Sequence, residues 1–161
     1  MQRLITGFNF CESDAVDGNA PVAIWTAPGV AVDSRLITPM IDLSGYTTAT
    51  LNYWTAYIYT SYATMINEVQ VSTDGGGAWE TVYEDDPFTT GDNLVERSVD
   101  LSGYVGYSVL VAFRFLDDSY GEAWFVDDIA VLGDAAIVSN PHTYPLNMPN
   151  TDRRGFDLAT Y

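Results

Sequence analysis

The chain has no lysine, one cysteine and one histidine among its 161 residues. Six arginines stand against 22 acids, giving a formal net charge of -16 at pH 7. That balance excludes general nucleic-acid binding, which needs a positive face to displace counterions from phosphate. It excludes a polybasic membrane-surface anchor for the same reason. No apolar run approaches the ~20 residues of a membrane-spanning helix. The lone thiol, Cys11, can close no internal disulfide and has no metal-ligand spacing around it. The opening MQRLITGFNF lacks the apolar core and cleavage site of a signal peptide. A domain taken from a longer secreted chain reads the same way. Catalytic parts are also scarce. The one histidine, His142, lies in a Pro-rich stretch, and without lysine or a second histidine most nucleophile–base pairs cannot be assembled. Acids are numerous enough for a carboxylate pair of the glycoside-hydrolysis kind, but they crowd into turns and strand entries, where most such charges are solvated. The chain is read as a non-enzyme.

What is present is the material of one β domain. Hydrophobic residues make up 47% of the chain, enough for a single core at this length. Residues 48–60 (TATLNYWTAYIYT) put Ala49, Leu51, Tyr53, Thr55, Tyr57 and Tyr59 on one face and Thr50, Asn52, Trp54, Ala56 and Ile58 on the other. Further strand patterns occupy 4–10, 35–38, 66–73, 79–83, 94–99, 108–116 and 124–132. Turn clusters at 74–77, 85–93 and 117–122 separate several of them. No window gives a convincing amphipathic helix. Eight or more short strands at this spacing predict an all-β sandwich or barrel. The pentapeptide DLSGY occurs at 42–46 and again at 100–104, each time before a long apolar strand. It is read as a repeated strand-opening turn, whose Asp and Ser bond local backbone and whose Gly supplies a permissive dihedral. Residues 1–134 are assigned to the module. Residues 135–161 are assigned to a strap rich in Pro and Asn that ends in a possible extra strand.

Three groups of residues carry candidate chemistry. Ser72, Asp74, Gly76 and Trp79 fit the S-x-D-x-G-x-x-W pattern of an Asp-box hairpin, a structural element in which the Asp accepts turn amides. Asp127 and Asp128 interrupt the apolar strand 124–132, where alternation sends them to opposite faces. A buried carboxylate needs a partner. With Glu12 and Asp14 as co-ligands, a calcium ion held by carboxylates and backbone carbonyls would supply one. A strand-end cap, or pairing with Arg114 or Arg35, is the alternative. Tyr59, Tyr62, Phe88 and Tyr120 fall in loops beside polar residues, as a sugar-stacking platform requires, and they suit a protein contact equally well.

The ordered segments LITPMIDLSG, LNYW, EVQVSTDGG, SVDLSGYVG, VLVAFRF and WFVDDIAVLG resemble the MAM-like modules grouped as cleaved-adhesin or choice-of-anchor J domains. The resemblance covers about residues 8–133 and leaves out the tail. It implies a jelly-roll β-sandwich of the galactose-binding-like type, in a secreted or cell-surface protein, without catalysis in the module itself. It further implies a calcium ion tying the first strand to the acidic pair, here Glu12 with Asp127 and Asp128. The expected role is adhesion or assembly through a surface protein, a glycan or copies of the chain, including filament growth by strand addition of residues 152–161. A carbohydrate-binding module, or an accessory domain of a secreted protease, is the alternative.

Overall fold

The structure, a computed structural model, describes residues 2–7, 22–25, 29, 31–58, 65–86, 94–118 and 123–136, with the side chains of 2–7, 22–25 and 58 outside that description. Ten strands follow in chain order: β1 (Gln2–Gly7), β2 (Val22–Trp25), β3 (Val32–Ile37), β4 (Ile41–Asp42), β5 (Thr50–Ile58), β6 (Met65–Ser72), β7 (Glu80–Asp85), β8 (Val95–Asp100), β9 (Ser108–Asp117) and β10 (Ala123–Asp134). A single 3-10 turn, Ser102–Tyr104, leads out of β8. One sheet runs β1-β10-β5-β8, with β2 also on β10; the other runs β3-β9-β6-β7, with β4 also on β9. The recorded strand pairs are antiparallel. The expected all-β class therefore resolves into a two-sheet sandwich.

Alternation drives this arrangement. Tyr59 lies outside the described residues, and the described part of the predicted inner face, Ala49 with Leu51, Tyr53, Thr55 and Tyr57 of β5, is wholly buried. It meets Val109, Val111, Phe113 and Phe115 of β9 from the opposite sheet in one core. Aromatic rings form the centre. Tyr53 packs edge-on against Phe113 with centroids 5.0 Å apart, and Phe113 packs edge-on against Trp124 at 5.7 Å. Trp124 also stacks on Tyr57 at 6.2 Å, and its indole N–H donates to Thr55 Oγ1 at 2.7 Å. The polar edge of the largest core side chain is thereby satisfied.

The two DLSGY copies are equivalent corners. The first leads into β5 of one sheet, the second into β9 of the other. Asp42 Oδ1 accepts the Ser44 N–H at 2.9 Å and Asp100 Oδ1 accepts that of Ser102 at 2.8 Å. The serine hydroxyls first, and these N–H bonds second, hold both carboxyls below the usual carboxylate range. Ser102 Oγ goes further, accepting the Ala49 N–H at 3.2 Å. The glycine reading needs correction: the left-handed residue of this region is Gly106 (φ 94°), not Gly45 or Gly103. The leucine carries the burial, since Leu43 and Leu101 are both 0% exposed.

Strands β2 and β4 were not predicted. Four residues and two residues are too short to show a period. Residues 85 and 117, assigned to turns, are the last residues of β7 and β9. Pairing continues past residue 134: Ala135 bridges Tyr46, and Ala136 N–H donates to Gly45 O at 2.8 Å. Residues 137–161, including the expected extra strand, lie outside the described residues.

Because Leu101 fills the core while Asp100 only organises a solvent-facing turn, the two should separate cleanly in denaturant unfolding. Leu101→Ala is expected to cost about 2–5 kcal/mol, and Asp100→Ala clearly less.

Candidate functional site

The acidic pair in β10 sits on a β-bulge. Asp127 faces Trp54 of β5 and Ala130 faces Asn52, so three steps along β10 match two along β5. The extra residue is Asp128, whose φ is +47°, a left-handed conformation that Asp tolerates better than most residues. Asp127 Oδ1 accepts the Asp128 N–H at 2.9 Å and fixes the bulge. Asp127 is 8% exposed and Asp128 is exposed, so one acid of the pair is buried, by a bulge rather than by simple alternation. On its other flank β10 pairs with β2 up to Val126↔Val22 and with β1 from Ala130↔Gly7. The bulge therefore lies between the end of one strand and the start of the other.

Neither arginine suggested as a partner reaches it. Arg114 bonds Asp33 through Nε at 2.8 Å and Glu68 through Nη1 at 2.9 Å. Arg35 donates from Nε to Gln70 Oε1 at 2.8 Å. Among the described residues no three His, Cys, Asp or Glu side chains converge as a metal site. Glu12 and Asp14, the other expected ligands, lie outside the described residues, as do Tyr59, Tyr62, Phe88 and Tyr120.

The Asp-box hairpin forms as its residue types require. Ser72 Oγ–H donates to Asp74 Oδ1 at 2.7 Å, and that oxygen also accepts the Ala78 N–H at 2.9 Å. Gly76 N–H donates to Ser72 Oγ at 2.9 Å. Gly75 and Gly76 have φ of 77° and 98°, which the turn demands. Trp79 closes over it, its Cζ2 lying 3.6 Å from where a Cβ on Gly76 would stand. Beside the hairpin is a cleft of about 210 Å3, lined by Val71, Thr73, Asp74, Trp79, Glu80 and Tyr104. Tyr104 comes from the second DLSGY copy, and its hydroxyl donates to Glu80 Oε2 at 2.8 Å. Burial first, and Glu80 second, push the Tyr104 phenol up to about 12. Sequence spacing could not bring Tyr104 to Trp79, because the two lie on separate elements joined only by the fold.

Two other polar groupings escaped sequence reasoning. The outer face of the β3-β9-β6-β7 sheet carries a row of linked side chains. Arg35 and Arg114 stand directly opposite each other, a repulsive placement unless each finds an acceptor. Arg114 takes Asp33 and Glu68, and Arg35 takes Gln70 while its guanidinium lies 5.9 Å from the Trp79 ring centroid. The second grouping lies between the sheets, where β7 and β8 form adjacent edges. Asp85, assigned to a turn and to solvent, is buried. Arg97 of β8 bonds it through Nε and Nη2 at 3.0–3.2 Å, and Tyr57 Oη–H donates to it at 2.6 Å. Desolvation, with the Asp85 bond second, drives the Tyr57 phenol far above its usual range. Asp117, at 1% exposure, is likewise no solvated turn residue. No spacing signal marks these acids, since an acid at a strand end reads the same whether buried or exposed.

No protein-family profile matches the sequence. Among curated proteins the chain is similar to Hemagglutinin A of Porphyromonas gingivalis, 30% identical over 154 residues that take in 78% of this chain. The match spans only 6% of the hemagglutinin's length. Among solved structures, the K2 cleaved adhesin domain of Lys-gingipain aligns over 74% of both chains with a TM-score of 0.50 and 24% identity. The carbohydrate-binding module TmCBM61, solved with β-1,4-galactotriose, aligns over 74% of both chains with a TM-score of 0.50 and 18% identity. At these identities the structural likenesses show a shared fold, a two-sheet β-sandwich. No helix among the described residues is long and apolar enough to cross a membrane.

Removing one partner of a buried ion pair strands the other. Arg97→Ala should therefore destabilise the protein by about 3–5 kcal/mol in urea unfolding. The double change Arg97→Met with Asp85→Leu should recover only part of that loss, because the buried Tyr57 hydroxyl loses its acceptor, and adding Tyr57→Phe should recover more.

Proposed function

We propose that the chain is a non-catalytic attachment module of a surface or secreted protein, binding a glycan or a protein on another surface. The observation that carries this reading is the similarity to a hemagglutinin stretch across 78% of the chain. The rigid sandwich supports it, since a closed aromatic core leaves sheet faces and loops free for contact. A carbohydrate ligand is the second reading. It is favoured by the fold shared with a module that holds β-1,4-galactotriose. Purified chain displayed on beads should bind red cells, and beads carrying a protein of matched negative charge should not. Equal binding by both kinds of bead would remove the proposal.

Calcium at the β10 bulge belongs to the same reading. Its support is Asp127, a carboxylate at 8% exposure that accepts one backbone N–H, while Arg35, Arg97 and Arg114 are engaged elsewhere. The donor chemistry suits a hard cation, which takes carboxylate and carbonyl oxygens. Asp127 would supply the buried charge and Asp128 the exposed one. Glu12 and Asp14 belong to residues 8–21, which join the two strands that pair on either side of the bulge. Bound calcium would neutralise this local excess of negative charge. At a hundredfold excess over its Kd the ion would add about 2.7 kcal/mol. Melting at fixed ionic strength should rise with calcium over chelator, and Asp127→Asn should abolish the increment. A rise matched by sodium alone would assign the effect to screening.

A further inference from the structure

We infer that the cleft between the Asp-box hairpin and the 3-10 turn receives a basic side chain, an ammonium or guanidinium, presented by a partner protein. The inference deepens the attachment reading and rests on it for the partner's biological setting. The cleft chemistry itself is read from the lining. Its volume of about 210 Å3 suits one side chain or one sugar ring. Two carboxylates, Asp74 and Glu80, and two rings, Trp79 and Tyr104, line it. Asp74 is held ionised by the Ala78 N–H and the Ser72 hydroxyl, which lower its carboxyl below the usual range. Both bonds fall on Oδ1. Glu80 Oε2 accepts a hydrogen bond from the Tyr104 hydroxyl, leaving Oε1 for a ligand.

The donors decide between ligand classes. Sugar hydroxyls both donate and accept, so a neutral sugar site mixes acceptors with N–H donors. The side-chain donors among the lining residues are the Thr73 hydroxyl, the Trp79 indole N–H and the Tyr104 hydroxyl, the last already given to Glu80; no amide, guanidinium or ammonium group is among them. Two exposed carboxylates and two π faces dominate the lining, and both kinds of group attract a cation. The Trp79 ring already has a cation near it, since Arg35 lies 5.9 Å from its centroid. Arg35 is not part of the cleft lining. The net charge of -16 steers basic segments toward the whole molecule. A second copy is a poor occupant: it has no lysine and carries the same net charge of -16, so two copies repel.

The test is titration of the full chain with a capped tri-lysine peptide at low salt, followed by calorimetry. Saturable binding is expected, weakened about fivefold to tenfold by Glu80→Gln. The peptide with acetylated lysines should not bind. Glu96→Gln removes the same charge from an exposed position on β8 and should leave affinity unchanged, while both variants should melt like the parent. Equal losses in the two variants would reduce the effect to the general field and overturn the inference. Binding of galactotriose that depends on Glu80, without tri-lysine binding, would make the cleft a sugar site instead. Bead attachment to cells that survives Glu80→Gln would leave the attachment reading standing and remove the cleft as its receptor. Tri-lysine binding without cell attachment would do the reverse.

Discussion

One inserted residue sets the phase of the central strand. Trp124 and Val126 point into the core, and so do Ile129 and Val131, but the step from 126 to 129 is odd. Strict alternation would turn one of these pairs toward solvent. Asp128 absorbs the extra step in a left-handed conformation, and the Asp127 carboxylate bonds the amide that this exposes. Both apolar pairs then face Tyr57, Phe113 and the rest of the cluster. The acids are therefore required by the backbone before any ion is considered. Asp127 also remains a buried carboxylate at the point where β2 gives way to β1.

A second constraint acts at the open side of the sandwich. Strands β7 and β8 are edges of different sheets, with no hydrogen-bond ladder recorded between them. The Arg97–Asp85–Tyr57 group spans the gap and fixes how the two layers meet there. An apolar contact would bury as much surface without specifying a position. Bidentate geometry specifies one, at the cost of desolvating two charges.

Much of the fold was legible from period two. The inner face of β5, the β6–β7 hairpin and the pair of DLSGY corners all follow from local spacing, because local bonds build them: Asp74 to Ala78, Asp42 to Ser44, Asp100 to Ser102. What escaped depends on tertiary placement. Asp85 and Asp117 sit at strand ends and read as solvated turn acids, yet the fold buries both. Trp79 was read as a hairpin prop, and Tyr104 was only the last letter of a repeated turn. Their shared cleft exists because the turn after β8 lies beside the hairpin. The bulge was hidden because residues 127 and 128 alternate plausibly in an unbroken strand, and only the position of Ile129 betrays the slip.

The pairing of β1 with β10 has a consequence for how the molecule is made. Gln2–Gly7 finds its partner at Ala130–Asp134, at the opposite end of the described chain. During synthesis β1 must wait, its edge bare, until β10 has emerged. Delayed closure of this kind slows folding and invites neighbouring nascent chains to pair wrongly. The heavy negative charge acts against that encounter, because two unfinished copies repel before their edges can meet.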